Sequence, residues 1–559
     1  ACMGATLPAM ERALAHEGTR AGTSVPLLYA ANTAGAVLGV VGCAFWLMPS
    51  LGLARTAAAC AAMNVACAVL APALLPTRRQ TPPRSKTPPI PGEYGLGVLL
   101  VMTGLLGIGL EVLVVRGLSQ VTENTVYTFA LILAVYLSGA AIGAALYPRL
   151  SLRIGTQLPL LPILLLYMTA SGIVSAWMLF LCADIKALLD VSLGATAPAG
   201  MLAEAILAAS VFLLPTLGMG AVFAHLAERA LISGMGLGRA IGLNTLGAAA
   251  APALFGVLLL PATGVFAALL LVPATYLTLA LGVNSPRRPA LILACLVAVS
   301  ALALSDAVQV TVPAGGRLLS HVEGAGAAVS VVEDAAGVAT LHINNRQQEG
   351  STATLYADAR QALLPLLLHP APAHVLFLGV GTSATAAFAA RDPALIVDAV
   401  ELVPEVLDAS RVFRERLFPG EVFPGLRLLG ADARRYIKTS RETYDVIVSD
   451  NFHPARSGSA ALYTTEHFRA VRERLSPRGV FCQWLPLHQL DLGSLASITR
   501  AFLDAFPAGS AILATYSLET PVIGLVATAD GRPFDLARLR DRRDRVEAVL
   551  SASALGVPD

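Results

Sequence analysis

Two textures divide this chain. Up to Asp306 it is a succession of apolar runs long enough to cross a bilayer, which takes roughly 20 helical residues. About nine such runs can be read, at 26–49, 51–76, 95–118, 126–147, 158–183, 201–226, 238–260, 262–283 and 289–305. After Asp306 the runs shorten. VSVVED (329–334), HVLFLG (374–379), LIVDAVEL (395–402) and YDVIVSD (444–450) are rich in β-branched residues and alternate with helical stretches. That alternation predicts a parallel α/β sheet. The chain therefore reads as a multi-span α-helical membrane domain at 1–306 followed by an α/β domain.

Composition agrees with a membrane part. Only 14% of the 559 residues are charged and 55% are hydrophobic, where a soluble protein carries about 25% charged residues. Mean hydropathy is +0.68. A net charge of +2 is too small to argue for nucleic acid as a partner. The 7 cysteines are scattered with no CxxC pair, which argues against zinc and against a disulfide framework. Between the second and third runs, TRRQTPPRSKTPPIPGEY (77–94) is basic, Pro-rich and aperiodic, and reads as an exposed linker.

The membrane part contains an internal repeat. MGA occurs at 3–5 and at 219–221; NTAGA at 32–36 answers NTLGA at 244–248. Asn32 precedes Pro49 by 17 residues and Asn244 precedes Pro261 by 17, and Gly52 and Gly264 each follow their Pro by three. Duplicated halves are common in transporter folds. Four further helices precede or include the second MGA, whereas the first copy begins almost at its own, and the first residue is Ala. An N-terminal stretch is therefore expected to be missing, with 1–13 the remnant of a cut helix.

Orientation is read from Lys and Arg, which favour cytoplasmic loops. The loops at 77–86, 148–153, 227–239 and 284–288 are basic; those at 119–125 and 184–200 are not. Arg287 and Arg288 then lie inside, and a spanning 289–305 would put the C-terminal domain outside. That segment is only about 25 Å long as a helix, so it can also lie in the interface.

The C-terminal domain has an ordered nucleotide signature. In HVLFLGVGTSATAAF (374–388) an apolar strand runs into Gly379-Val380-Gly381 and a helix. Glycines there let the backbone turn and approach a ligand. Some twenty residues on, Glu401 ends the next strand in DAVELVPEVL (398–407), where a carboxylate can accept both ribose hydroxyls. GxG after a strand is also a plain packing turn; the full series is the stronger signal. In LRLLGADARRYI (426–437), Asp432 either faces the adenine or caps the helix that follows. In YDVIVSDNFHPARSGSAALYTTEHF (444–468), Asp450 sits at the C-terminal tip of a buried strand, the edge where open α/β sheets bind ligands.

From about 315 to 530 the chain resembles spermidine synthase and related aminopropyltransferases. The resemblance is carried by LHINNRQQEG (341–350), LLPLLLHPAPAHVLFLG (363–379), VELVPEV, Asp432, Asp450 and CQWLP (482–486). It implies a small β domain with an entry helix at 315–370, a Rossmann methyltransferase-like domain at 371–540 and a tail at 541–559. It also implies a reaction in which an aminopropyl group passes from decarboxylated S-adenosylmethionine to an amine, releasing methylthioadenosine, with no metal. The nucleoside would be held by Gln348, Gly379, Gly381, Thr382, Glu401, Leu402, Asp432 and Ala433. Glu401 falls on the ribose-binding residue, Asp432 on the adenine-contacting one and Asp450 on the Asp that deprotonates the amine. The fusion to membrane helices resembles a bacterial group of fused major-facilitator/spermidine synthase proteins. That implies a multi-pass protein of the bacterial inner membrane, with the lipid bilayer, a nucleoside and a polyamine as partners and a homodimer as a family habit. Because the donor is a cytosolic metabolite, the domain is expected on the cytoplasmic side, against the charge argument.

The departures cluster in the amine half. The family's glycine loop ends in an Asp, here Thr382; a second Asp three residues after the catalytic one is here His453. The Tyr and acidic residues of the polyamine channel find no match near Ala357–Arg360 or Leu518. A dicationic amine needs carboxylates in place of water. Intact S-adenosylmethionine is thus a second candidate donor, cleaved by internal attack in a cyclase or lyase reaction. His453 would be a proton carrier near neutral pH, or a hydrogen-bonded loop residue. Arg456 would face a carboxylate, or solvent.

In the membrane part, Glu111 inside GLLGIGLEVLVVRGL (104–118) is costly at membrane depth and is a functional candidate. Glu204 lies nearer a helix end. Asn32 and Asn244 occupy matching repeat positions and are expected to bond across helices, in function or in packing. Rival readings are a transporter with a nucleoside- or polyamine-sensing domain, and a methyltransferase, which would yield S-adenosylhomocysteine.

Overall fold

The computed structural model describes residues 6–14, 21–74, 93–154, 159–194, 196–283, 286–304, 307–454, 458–515 and 517–534. All but the last two residues of the linker expected at 77–94, together with Arg456 and the tail at 541–559, lie outside them. The chain forms two compact units, Ala1–Gln309 and Val310–Asp559.

The first unit is helical: α1 (Thr6–Leu14), α2 (Ala21–Gly42), α3 (Met48–Leu74), α4 (Glu93–Leu118), α5 (Val126–Ile154), α6 (Leu160–Phe180), α7 (Cys182–Leu193), α8 (Ala197–Ile232), α9 (Leu237–Ala251), α10 (Leu260–Gly282) and α11 (Arg287–Leu304). Among the described residues seven helices are long and apolar enough to cross a membrane. The nine runs resolve into seven because Val25–Leu70 and Leu237–Gly282 each hold two of them. Both bend at a glycine, Gly52 (φ 74°, ψ 169°) and Gly264 (φ 77°, ψ 167°), and a π-helical stretch precedes each bend, at Cys43–Leu47 and Pro252–Leu259. The polar stretch 184–200, expected as a loop, instead holds most of the amphipathic α7, and Thr196 caps α8 by accepting from the Ala199 N–H.

Small residues let these helices approach. A Cβ on Gly143 would stand 2.0 Å from the Leu217 carbonyl oxygen, and one on Gly220 2.1 Å from that of Ala140, so α5 and α8 meet backbone to backbone. Gly104 and Gly247 do the same for α4 and α9, against Asn244 and Val101. Small residues at these contacts are what allow the backbones to come so close.

The second unit begins with an antiparallel sheet in the order β1 (Arg317–Glu323), β2 (Ala328–Glu333), β3 (Ala339–Ile343), β4 (Gln347–Ser351). The segment 341–350 holds the β3–β4 hairpin. Asn344 (φ 48°) and Asn345 (φ 58°) both take the left-handed conformation that a tight hairpin turn needs and that Asn tolerates.

Next come α12 (Leu355–Leu368), β5 (His374–Leu378), α13 (Ala384–Ala390), β6 (Ile396–Glu401), α14 (Pro404–Leu417), β7 (Leu426–Gly430), α15 (Ala433–Thr439) and β8 (Tyr444–Ser449). The unit closes with α16 (Thr465–Glu473), β9 (Leu475–Pro486), α17 (Leu492–Ala505), β10 (Ser510–Leu513) and β11 (Val522–Thr528). The seven strands lie in the order β10-β11-β9-β8-β5-β6-β7. β5, β6, β7, β8 and β9 run parallel, and β11 inserts antiparallel beside β9. This is the methyltransferase-like form of the doubly wound sheet. Apolar layers cover both faces, with α12 and α13 in one and α15, α16 and α17 in the other, which is why β5 and β8 read as unbroken apolar runs. The entry helix α12, grouped above with the β domain, packs in the core of this larger sheet through Ala359, Ala362 and Leu366.

One charge is buried within the sheet. Asp398 on β6 is 1% exposed and accepts from Arg427 (2.6 and 2.9 Å) and from the Tyr444 hydroxyl (3.0 Å), with His374 Nε2 at 3.2 Å. A buried charge is tolerated only when so surrounded. Replacing Asp398→Ala is expected to destabilise this unit by about 2–4 kcal/mol, as one removed partner leaves several donors unpaired. Alkylation of the buried Cys482 thiol against urea concentration checks this, since Cys482 is the one cysteine beyond residue 309.

Candidate functional site

The site of the second unit lies at the C-terminal ends of β5, β6 and β8, the central parallel strands. β5 delivers the turn Gly379-Val380-Gly381, in which Gly379 has φ 102° and Gly381 φ 50°. A Cβ on Gly379 would stand 2.9 Å from the Asp450 Cβ and 2.9 Å from the Phe452 ring. Glycine at 379 is therefore what lets the loop and the tip of β8 share this space. A Cβ on Gly381 would meet the Glu349 carbonyl oxygen at 2.9 Å, so the β3–β4 hairpin lies over the same loop. Gln348 stands exposed on β4.

Glu401 ends β6 and is 9% exposed. Its carboxylate accepts from the Val380 N–H (3.2 Å) and the Val403 N–H (2.9 Å). Burial nevertheless raises its pKa against those bonds. Leu402, beside it, is 66% exposed, an apolar surface next to the carboxylate. Asp432 caps α15, its Oδ1 accepting from the Arg435 N–H at 2.7 Å. Of its two readings the structure thus displays the cap, and Ala433 is the first helical residue after it. Thr382 is 6% exposed and its hydroxyl accepts from the Ala384 N–H, turned into the loop.

Asp450 follows β8. Its backbone N–H donates to Leu378 O (3.0 Å), its Oδ1 accepts from the Asn451 N–H (2.8 Å), and Gln483 Nε2 donates to its carbonyl (3.0 Å). Burial raises its pKa, and the negative charge of Glu401 raises it further. His453 lies three residues on, half-buried. The loop between them is anchored by Tyr463, whose hydroxyl donates to the Phe452 carbonyl.

One residue was passed over in the sequence. Asp358, in the segment where no acidic counterpart was found, sits in the first turn of α12, which packs against β8 and β9. Thr354 Oγ1 donates to its Oδ2 at 3.1 Å. Burial pushes its pKa up to about 7, and the charge of Asp450 adds to the rise. Two carboxylates from distant points of the chain thus act on each other. The signal was legible: a lone Asp among the apolar residues of LYADARQALLPLLL. Arg414, which donates to Ser383 Oγ (2.9 Å) and Ser410 Oγ (2.8 Å), is a second omission; Ser383, at φ 62°, carries the turn into α13. Among the described residues no three His, Cys, Asp or Glu side chains are grouped to hold a metal.

In the helical unit the four candidates part company. Asn244 Nδ2 donates to Leu100 O (3.1 Å) and lies 3.4 Å from Thr103 Oγ1, tying α9 to α4. Asn32 is exposed, and it is the neighbouring Thr33 that bonds, to Tyr29 O. Glu204 is buried and accepts from the Glu123 N–H (2.7 Å) and Thr128 Oγ1 (2.8 Å), a structural tie between α8 and the start of α5. Glu111 is half-buried on α4.

Residues 361–519 match the family model described as the spermine/spermidine synthase domain. A polyamine aminopropyltransferase of Thermococcus kodakarensis is 29% identical over 168 residues, covering 28% of this chain and 55% of its own length. A spermidine synthase of Dictyostelium discoideum is 24% identical over 147 residues, covering 26% and 51%. The chain spans about half the length of these curated relatives. A solved spermidine synthase from Thermotoga maritima is 21% identical with a TM-score of 0.36, over 43% of this chain and 85% of that one.

Two outcomes follow from the geometry. Gly379→Ala forces a side chain into the space of Asp450 at a φ that L-residues avoid, so a cost of about 1–3 kcal/mol is expected in urea unfolding. Asp358 titrates higher in the folded chain, at about 7, than the 3.8 of an unperturbed Asp. Its contribution to stability is thus complete below pH 3.8 and lost as pH rises through about 7. Asp358→Asn is expected to raise the Tm at pH 8 and to leave it unchanged near pH 4; an equal shift at both values would contradict the assignment.

Proposed function

From the spermine/spermidine synthase domain at 361–519, we infer that this unit binds the decarboxylated form of S-adenosylmethionine and transfers its aminopropyl group to an amine. The observation that supports this is Asp450 at the tip of β8, near enough to Glu401 and to Asp358 for their charges to act on one another. Glu401 receives the ribose hydroxyls, and the backbone of Gly379 and Gly381 gives the nucleoside room. Asp358 and Asp450 hold the acceptor as an ammonium, since two carboxylates that bear on each other favour a cation beside them. Asp450 then takes one proton from that ammonium. The neutral nitrogen attacks the carbon next to the sulfonium, a C–N bond forms, and the C–S bond breaks with its electron pair passing to sulfur. The products are the lengthened amine and neutral methylthioadenosine. The raised pKa of Asp450 suits it to accept a proton.

A second reading is supported by residue 382. Thr there leaves the loop without a charge that would repel the carboxylate of intact S-adenosylmethionine, which would then be cleaved by internal attack. Asp358 favours the first reading, because it returns to the amine half a carboxylate that Thr382 and His453 do not supply.

The helical unit, on this proposal, spans the bacterial inner membrane and is a duplicated unit whose two copies bend at Gly52 and Gly264. Donor supply puts the catalytic unit on the cytoplasmic side.

The test is product analysis by mass spectrometry with full-length protein in detergent, each donor being offered with and without putrescine. Methylthioadenosine and spermidine formed only from the decarboxylated donor with putrescine support transfer. Asp450→Asn is expected to lower that rate about 10²-fold, and Asp358→Asn to raise the KM for putrescine about tenfold with little change in donor KM. Methylthioadenosine from the intact donor without amine would assign the second reading. No product from either donor would leave a nucleoside- or polyamine-sensing role.

A further inference from the structure

The first bend of the helical unit brings two thiols together. Cys43 opens the π-helical stretch Cys43–Leu47, and Cys60 lies on α3 beyond Gly52. They are 17 residues apart, which along a straight helix is about 25 Å. Their sulfurs instead lie 3.8 Å apart. The backbone at Gly52 (φ 74°, ψ 169°) therefore turns the chain back, and α3 runs beside the arm that leads into it. Both thiols are half-buried.

The two arms are held differently. The first is fixed to α5, along which α2 packs, and the Phe45 ring lies 5.2 Å from that of Tyr127 between centroids. The second, α3, packs against the Cys43–Leu47 stretch, while its Leu53, Met63, Val65, Val69 and Leu70 are exposed. The bend at Gly264 gives the contrast. Its second arm, α10, packs against α4 and α6. At the offset that relates Asn32 to Asn244, the positions of the two thiols hold Phe255 and Val272, both buried in the core. Packing anchors the second arm there. At the first bend, α3 presents a thiol to its neighbour instead.

Two thiols in contact can be joined by a disulfide. An S–S bond is about 2.05 Å long, so from 3.8 Å the sulfurs close by about 1.8 Å, within reach of side-chain rotation and a small shift of the exposed arm. The oxidant is another disulfide. The thiolate of one cysteine attacks one of its sulfurs, releasing a thiol and leaving a mixed disulfide. The second cysteine then displaces the other thiol, so one S–S bond is consumed, one is formed and two thiols are released. The compartment agrees. The loop at 77–86, into which α3 leads, is basic, and Lys and Arg favour the cytoplasmic side. On that orientation the bend at Gly52 faces the opposite, oxidising side. We propose that Cys43 and Cys60 form a reversible disulfide that clamps α3 to the arm before the bend. It does not depend on the reaction proposed for the C-terminal unit.

Peptide mass spectrometry of the full-length protein in nanodiscs tests this, after reduction, removal of the reductant and exposure to dithiodipyridine, a membrane-permeant disulfide. Cys67, on the same helix as Cys60 and more exposed, is the internal control, together with the exposed Cys295. Each control is expected to keep a thiopyridyl adduct. Cys43 and Cys60 are expected to carry none and to appear as linked peptides, two hydrogens lighter than the pair of thiols. In detergent, the linked form should melt about 5 °C higher than the reduced one and return to the lower Tm with dithiothreitol. Cys60→Ser should abolish the link and the Tm difference and leave an adduct on Cys43. Separate adducts on Cys43 and Cys60, thiols there that stay open to alkylation, or a Tm indifferent to the link would each overturn the proposal. Should Cys60→Ser not remain monodisperse, the native protein compared before and after oxidation decides by the same outcomes.

Discussion

Repulsion between carboxylates held away from water is the constraint on which the C-terminal unit turns. Asp450, Glu401 and Asp358 come from β8, β6 and α12, and burial alone pushes each toward its protonated form. The fold opposes that tendency with backbone N–H groups, from Val380 and Val403 to Glu401 and from Asn451 to Asp450. These bonds fix geometry but do not neutralise charge. On the proposed function a ligand with a positive centre completes the balance, so the same arrangement that costs stability in the ligand-free chain supplies affinity. The close approach at Gly379, the Tyr463 bond to the loop after Asp450, and the seat of α12 against β8 all keep the three groups where this holds.

The two units handle buried charge in contrasting ways. In the C-terminal sheet Asp398 is surrounded by Arg427, Tyr444 and His374 and is structural. In the helical unit Glu204 is likewise bonded at both oxygens. Asp358 and Asp450 accept from the Thr354 hydroxyl and the Asn451 N–H, and each also bears the charge of the other or of Glu401. On the proposed function, the difference separates carboxylates that hold the fold from carboxylates that bind a ligand, and burial by itself does not make that distinction.

Much of the α/β sheet was legible because strands buried on both faces are written as apolar runs, as in HVLFL and YDVIVS. Glu401 and Asp450 could be located because a parallel sheet presents its ligands at strand ends. Asp358 was not found, because it is separated from Asp450 by most of the sheet in sequence and was compared with a family pattern instead of being read as a charge on the buried side of a helix. The turn of the hairpin at 341–350 is not legible in the sequence, because two asparagines, unlike Asn-Gly, do not announce a turn until both φ values are seen to be positive. In the helical unit the apolar runs were evident, and the non-helical backbone at Gly52 and Gly264 kinks the chain between the two runs of each pair. Asn32 and Asn244 match in sequence but differ in surroundings, Asn32 being exposed while Asn244 bonds to Leu100 on α4.

The central claim is that Asp358 and Asp450 together form a cation site, and proton linkage reads it directly. Calorimetric titration of putrescine into the protein at pH 7, repeated in buffers of different ionisation enthalpy, counts the protons exchanged on binding. An ammonium that pairs with Asp358, whose carboxyl titrates near 7, lowers its pKa, so the account expects about half a proton to be released per amine bound. In Asp358→Asn that release should vanish and affinity should fall. Binding without proton release in the native protein, or an unchanged release in the variant, would contradict it.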